Sequence, residues 1–417
     1  MSRFNAVVLS RIAFAWMIAA SLHLAAGSQV AAQPGPISLD CNPEGLPSPI
    51  NTLCRIKRLQ EGQRLFVKET FGGNGRTCAT CHSLDTGTFT PEDALARLTA
   101  DANDSLFVHD GLDNGVTGIS RITMHATVRI TLPLPEGLSL KHDPDATHIT
   151  VNRGTPTVMN TPALDPVLMY DTRDLTLQDQ ALGAIHGHGQ STIEPIENQL
   201  DLIAEFQQAR FFSNGKLRRF AAGGPPPELP EGETEEEKRG RLFFVDAPFD
   251  PPSKAGTCAL CHSGPMLNEA NVFSTAVFGN PPGARFFAVG VSRRNVLGNP
   301  LHTFIMEDTL GPPVEFTSPD PGIVLTDHDQ LVAEGHMPPD FVLAQLGLRR
   351  AFFAEGFKTP TLWGTKDTAP YFHDNSAKNF DELLEQYDFF FIDSEIAGRI
   401  ELTPQDKEDI KAFLRLL

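Results

Sequence analysis

Four of the six cysteines in this 417-residue chain fall into two copies of one pattern, Cys78-Ala79-Thr80-Cys81-His82 and Cys258-Ala259-Leu260-Cys261-His262. With 6 Cys and 13 His in the chain, one C-x-x-C-H is expected by chance about 0.003 times. Two copies are not chance. The spacing fits a particular chemistry: each thiol adds across a haem vinyl group, and the His that follows is set to ligate the iron. Zinc and a redox dithiol compete with this reading. A zinc site needs its Cys and His pairs grouped, whereas these motifs stand 180 residues apart. A thioredoxin-like site does not explain a His after both motifs. The expected cofactors are two covalently bound c-type haems, one on Cys78, Cys81 and His82, the other on Cys258, Cys261 and His262.

The elements around the motifs repeat as well. Arg64-Leu65-Phe66 precedes Arg76-Thr77-Cys78, and Arg241-Leu242-Phe243 precedes Gly256-Thr257-Cys258. Each copy reads as an apolar-striped helix, a Gly- or Pro-rich loop and a haem site, with Ile56, Leu59 and Phe66 on one helical face. Gly223-Gly224-Pro225-Pro226-Pro227 marks a boundary, and the acidic run Glu228 to Glu237 reads as linker and first helical turn. A last helix opens with Thr403 as cap, Pro404 in its first turn and Asp406 at capping-box spacing. Its apolar positions are Ile410, Phe413, Leu414 and Leu417. The pattern predicts a mainly α protein of two cytochrome-c-like haem domains, 33–227 and 228–417, with long irregular loops and little β structure. Residues 121–157 read as extended loop with short strand pairing, and 278–340 as loop wrapped over the second haem.

Composition sets outer bounds. A formal net charge of −18 argues against nucleic-acid binding and favours a basic partner. Arg3 and Arg11 flank the start of an apolar run from Ile12 to Ala26, with Val30 and Ala32 placed for cleavage. Residues 1–32 therefore read as a signal peptide, and the mature chain as periplasmic. The run is shorter than the roughly 20 apolar residues of a span, and no later stretch fits one. The leftover Cys41 and Cys54 are expected to form a disulfide in an exported chain.

Beyond the two motifs, several blocks carry a resemblance: Thr155-Pro156-Thr157-Val158-Met159-Asn160, Tyr170-Asp171-Thr172-Arg173, Asp179-Gln180-Ala181, Phe357-Lys358-Thr359-Pro360-Thr361-Leu362 and Thr368-Ala369-Pro370-Tyr371-Phe372-His373-Asp374. Their order resembles that of the bacterial dihaem cytochrome c peroxidases and their relative MauG, over about residues 55 to 417. The resemblance implies a peroxidatic haem on His82 and an electron-entry haem on His262. It places the distal ligand of the second haem at Tyr387, where the peroxidases have Met and MauG has Tyr; packing beside Leu383 and Leu384 is the alternative role. Tyr170 stands where the family carries an inter-haem Trp, and Trp363 is a second relay candidate.

Gln180 matches a distal-pocket glutamine. The family's proton-moving acid falls at Gln190, which cannot transfer protons as a carboxylate does; His188 or Glu194 would have to substitute. His186 and His188 have two further roles open to them, solvent exposure or ligation of the first iron. His142 or His148 could also reach that iron, and His373 belongs near the second haem. His109, His125, His302, His328 and His336 read as loop or surface residues. A calcium ion is implied between the domains, at the carbonyls of Thr368 and Pro370, with Gly154 at the Asn position and Asn152 two residues away.

Three functions follow as expectations. The first is periplasmic reduction of hydrogen peroxide with electrons from a small cytochrome or cupredoxin. The second is a MauG-like oxidase or oxygenase acting on a protein or organic substrate. The third is a non-catalytic electron-transfer dihaem protein. A homodimer is the assembly the resemblance suggests.

Overall fold

A glycine lets two helices cross at backbone contact, and this chain does so twice. The computed structural model describes residues 48–250, 253–393 and 400–417. The helices that frame the two motifs are α1 (Ser48–Lys68), α2 (Leu177–Gly187), α3 (Glu197–Arg210), α4 (Glu235–Leu242), α5 (Phe380–Asp393) and α6 (Pro404–Leu414). Where α1 meets α3, a Cβ on Gly62 would stand 2.2 Å from the Leu202 carbonyl oxygen. Where α4 meets α6, a Cβ on Gly240 would stand 2.0 Å from that of Asp409. Only glycine allows either approach.

These crossings set the register of the internal repeat. Gly62, Leu65 and Phe66 correspond to Gly240, Phe243 and Phe244, one residue off the Arg-Leu-Phe alignment expected from sequence. Leu65 is fully buried, whereas Leu242 is 50% exposed and Phe243 and Phe244 are buried in its stead. Ile56, expected on the apolar face of α1, is also exposed; the buried stripe runs through Gly62, Leu65 and Phe66.

The helix starts follow their caps. Thr234 and Glu237 form a capping box at α4, and Thr403 and Asp406 another at α6. Ile410, Phe413, Leu414 and Leu417 are buried as their spacing requires.

Among the described residues helix far outweighs strand, so the fold is mainly α with little β. The strands are β1 (Thr127–Pro133), β2 (Leu138–Leu140), β3 (His148–Gly154), β4 (Phe286–Phe287), β5 (His302–Met306), β6 (Val314–Ser318) and β7 (Phe357–Lys358). β1 and β3 pair antiparallel with Thr127 opposite Gly154, the strand pairing expected in 121–157 but extended over seven residues on each strand. Val128, Ile130 and Leu132 alternate inward, which is what buries one face of it.

A second sheet, in the order β2-β5-β6, takes one strand from the first half and two from the second. Phe304, Met306 and Ile323 from the second half pack in one core with Leu106, Ile122, Val128 and Val151 from the first. The stretch 278–340 is thus divided between two tasks. Phe278, Phe287, Val289 and Val291 line a cavity at the second motif, while later residues build the core shared with the first half.

Among the described residues, no helix is long and apolar enough to cross a membrane. The expected leader and Cys41 lie outside the described residues; Cys54 is disulfide-bonded.

Candidate functional site

Both C-x-x-C-H motifs fold into a single 3₁₀ turn, Cys78–Thr80 and Cys258–Leu260. The turn closes when the His82 amide donates to the Cys78 carbonyl at 3.0 Å, and the His262 amide to that of Cys258 at 2.9 Å. Each imidazole is then oriented by the chain five residues on. His82 Nδ1 lies 3.2 Å from the Gly87 carbonyl oxygen, and His262 Nδ1 lies 2.9 Å from that of Leu267. A ring pinned at Nδ1 offers Nε2 to a ligand. Burial pulls both imidazoles down to about 4, which keeps them neutral as metal ligation requires.

The thiols show which chemistry these motifs are not built for. Burial pushes Cys78 and Cys258 up to about 12 and Cys81 to about 11, with Cys261 well above its ordinary value. A redox dithiol needs the opposite shift. Among the described residues, no group of three or more His, Cys, Asp or Glu gathers as a metal site would require.

The second motif opens on a cavity of about 1700 Å³, part of it continuous with solvent. Phe244, Phe278, Phe287, Leu384, Phe390, Phe391 and Leu414 make its wall apolar. Facing His262 across it is Tyr387, on α5, whose phenol oxygen lies 3.3 Å from His262 Nε2. Burial first, then the neighbouring Cys261 and Cys258, push the phenol above its ordinary pKa. His373 also lines this cavity, stacked 3.6 Å from the ring of Phe357 and edge-on to Tyr170.

The first motif opens on a smaller cavity of about 810 Å³. Its wall includes Cys78, Cys81 and His82, together with Gln180 and His188 from α2 and its C-cap. His188 Nδ1 lies 2.5 Å from the Asp110 carboxylate, which also pairs with Arg76. Gln190 is exposed and accepts from Asn74 at 3.1 Å. The side chain of Glu194 is 76% exposed, 3.3 Å from His186 Nε2, and lines neither cavity. Of the two groups expected to replace an acid, the fold therefore brings only His188 to the cavity.

The two cavities share a wall. Thr155 and Pro156 line both, while Met169 lines the first and Tyr170 the second. This turn is backbone-strained: Met169 and Thr172 both have positive φ, 58° and 59°. It is over-determined from outside. Asp171 accepts from the fully buried Arg153 at 2.5 Å, and the Thr172 hydroxyl donates to Glu334 at 2.7 Å. Burial raises the Tyr170 phenol well above its ordinary pKa. Trp363 is buried elsewhere, donating to the Pro265 carbonyl at 3.0 Å, and lines neither cavity; nor do the exposed His142 and His148. His328 was expected at the surface, but only 12% of its side chain is exposed.

Both motifs fit a covalently held haem: paired thiols, a neutral His with Nε2 free of the backbone, and an apolar cavity above them. The calcium positions fit less well. A side chain at Gly154 would meet the Asn375 carboxamide at 2.1 Å, and Asn152 instead donates to Asn299 at 3.1 Å. Asn375 caps the carbonyls of His125 and Ala126 at 3.0 Å each, a link between the halves made by an amide.

Sequence reasoning missed Asp110, Arg153 and Asn375. One signal was available: Arg76 flanks the first motif where Gly256 flanks the second, and a buried arginine needs an acid.

No protein-family model matches the chain, and no curated protein matches it. Solved structures do. A MauG-like protein associated with microbial copper homeostasis is 17% identical, with 92% of each chain covered and a TM-score of 0.46. The hydrazine synthase of Kuenenia stuttgartiensis is 16% identical over 91% of each chain, at a TM-score of 0.41. The diheme peroxidase BthA of Burkholderia thailandensis is 14% identical over 86% of this chain and 85% of its own, also at 0.41. The solved structures to which this chain is similar thus include a MauG-like protein and a diheme peroxidase.

Proposed function

We propose that this chain is a periplasmic dihaem cytochrome c peroxidase-like enzyme. It reduces hydrogen peroxide at the first haem with electrons that a small cytochrome or cupredoxin delivers to the second. The observation that supports this reading is the asymmetry of two otherwise matched sites. His262 is faced at 3.3 Å by a phenol, whereas the wall of the His82 cavity carries an amide and an imidazole, Gln180 and His188. An iron with two protein ligands mainly moves electrons, and one with an open face binds an oxidant.

Bound haem supplies the redox-active iron. The chain supplies the rest. Cys78, Cys81, Cys258 and Cys261 would tether the two groups, and His82 and His262 would hold their irons. Tyr387 would supply a further oxygen to the iron at the His262 site. Gln180 donates to the incoming peroxide from its amide, and His188 handles protons there. Tyr170, between the cavities, is the relay.

A second reading has a specific observation behind it. A phenolate oxygen is a hard ligand that favours ferric and higher states, so Tyr387 suits a MauG-like oxidase that stores oxidising equivalents for a protein or organic substrate. Mixing the haem-loaded protein with peroxide in a stopped-flow spectrometer separates the readings. Rapid oxidation of a reduced donor cytochrome is the expected result. A long-lived oxidised spectrum without donor turnover favours the second reading. An unchanged spectrum removes both and leaves electron transfer alone.

A further inference from the structure

Beside the first cavity, outside the Cys-x-x-Cys-His itself, three polar side chains are linked in series. Asp110 is 5% exposed and uses both carboxylate oxygens, Oδ2 at 2.5 Å from His188 Nδ1 and Oδ1 on the Arg76 guanidinium. Arg76 is itself fixed, donating to the carbonyls of Ser105, Leu106 and Val108 at 2.8, 2.8 and 2.7 Å. Burial works against the Asp110 carboxylate, but the hydrogen bond and charge of His188 and the charge of Arg76 hold its pKa below the ordinary value. With Nδ1 engaged, Nε2 is the free nitrogen of an imidazole that lines the cavity. At the second site Gly256 stands where Arg76 would be, so no arginine at that position opens such a series.

We infer that His188 and Asp110 act as one proton-transfer unit of the first site, with His188 as the group that exchanges the proton and Asp110 and Arg76 as positioning residues. This rests on the peroxide-reducing reading and deepens it. Reducing one hydrogen peroxide to two waters breaks one O–O bond and takes up two protons and two electrons, the electrons coming from the donor protein. His188 Nε2 would take the proton from one peroxide oxygen and return it to the other, which leaves as the first water; the donor's two electrons and two protons drawn from solvent convert the remaining oxygen into the second. Asp110 holds the imidazole as its Nδ1–H tautomer, with Nε2 turned to the cavity. The exposed Gln190 can do neither.

The test uses haem-loaded full chain with two haems per chain verified by mass. Asp110→Asn and His188→Gln are each expected to slow the peroxide-induced spectral change roughly 100-fold. Their double variant is expected to lose no more than either alone, as members of one unit do. Asp110→Glu keeps more of the rate than Asp110→Asn. Hydrogen cyanide gives a readout without turnover, since it too sheds a proton on binding ferric iron, and its uptake slows in the same variants. Additive losses, or single-variant rates equal to wild type for both probes, overturn the unit.

A change of spin state in His188→Gln before any peroxide is added assigns the imidazole to the iron, and overturns the inference as well. If Asp110→Asn fails to hold its haem, His188→Gly with added imidazole decides: restored cyanide uptake supports a mobile proton carrier, and no restoration removes it. A wild type that takes up cyanide but ignores peroxide sinks the proposed function while the cyanide rates still judge the unit.

Discussion

Tyr387 carries the sharpest residue-level consequence of the fold. Its phenol and His262 Nε2 converge from α5 and from the second motif, 125 residues apart in sequence. Tyr387→Phe removes the oxygen and leaves the ring among Phe372 and Phe391, so folding is little disturbed. The ferric spectrum and the potential of one haem should change while those of the other stay put. Identical spectra for variant and wild type would remove Tyr387 as a ligand. The residue was legible in sequence because it sits at a fixed offset from a recognisable block. Asp110 was not, since an aspartate in a loop carries no mark of the partners it will meet.

At the scale of elements, the helix crossings decide how firmly each motif is held. The Cβ of Gly240→Ala would fall on backbone, 2.0 Å from the Asp409 carbonyl oxygen, so α4 and α6 must move apart. Overpacking of this kind costs roughly 1–3 kcal/mol. A lower denaturation midpoint of the haem-loaded protein is expected, whereas Gly183→Ala, inside α2 with open space around its Cβ position, should hold or raise the midpoint. Equal midpoints for the two variants would contradict the crossing. The repeat itself was readable from Arg-Leu-Phe, yet its register was not. Apolar spacing fits either alignment, and only the glycine contact breaks the tie, burying Phe243 and Phe244 and leaving Leu242 outside.

The whole molecule is held across its halves by buried charge. Arg153 on β3 is fully buried and pairs with Asp171 at 2.5 Å and with Asp320, beyond β6, at 2.6 Å. Burial alone would raise Asp171; Arg153 and then Arg173 overrule it and bring it down to about 2. Its unfolded value is about 3.9. A carboxylate depressed in the fold contributes stability that is present above its unfolded pKa and lost as pH falls toward the folded one. Denaturation midpoints should therefore fall between about pH 4 and pH 2, and both haem spectra should change together because Asp171 and Asp320, one in each half, share Arg153. Two separate acid transitions, one per haem, would mean that the network does not couple them.

What the sequence determined by itself was the local geometry of the two motifs. Thiol, thiol and imidazole at positions i, i+3 and i+4 form one turn whatever the remainder of the chain does, and helix caps such as Thr403 with Asp406 are equally local. Apolar periodicity likewise announced a mainly α chain. The tertiary structure alone decided what faces each motif. The 2.5 Å contact of Asp110 with His188 spans 78 residues, and the pairing of β2 with β5 joins segments on either side of the expected domain boundary. Contacts of that separation depend on how whole elements pack, and no residue pattern within a window records them. For the same reason, two near-identical motifs acquired unlike surroundings, a phenol across one cavity and a linked imidazole, carboxylate and guanidinium beside the other.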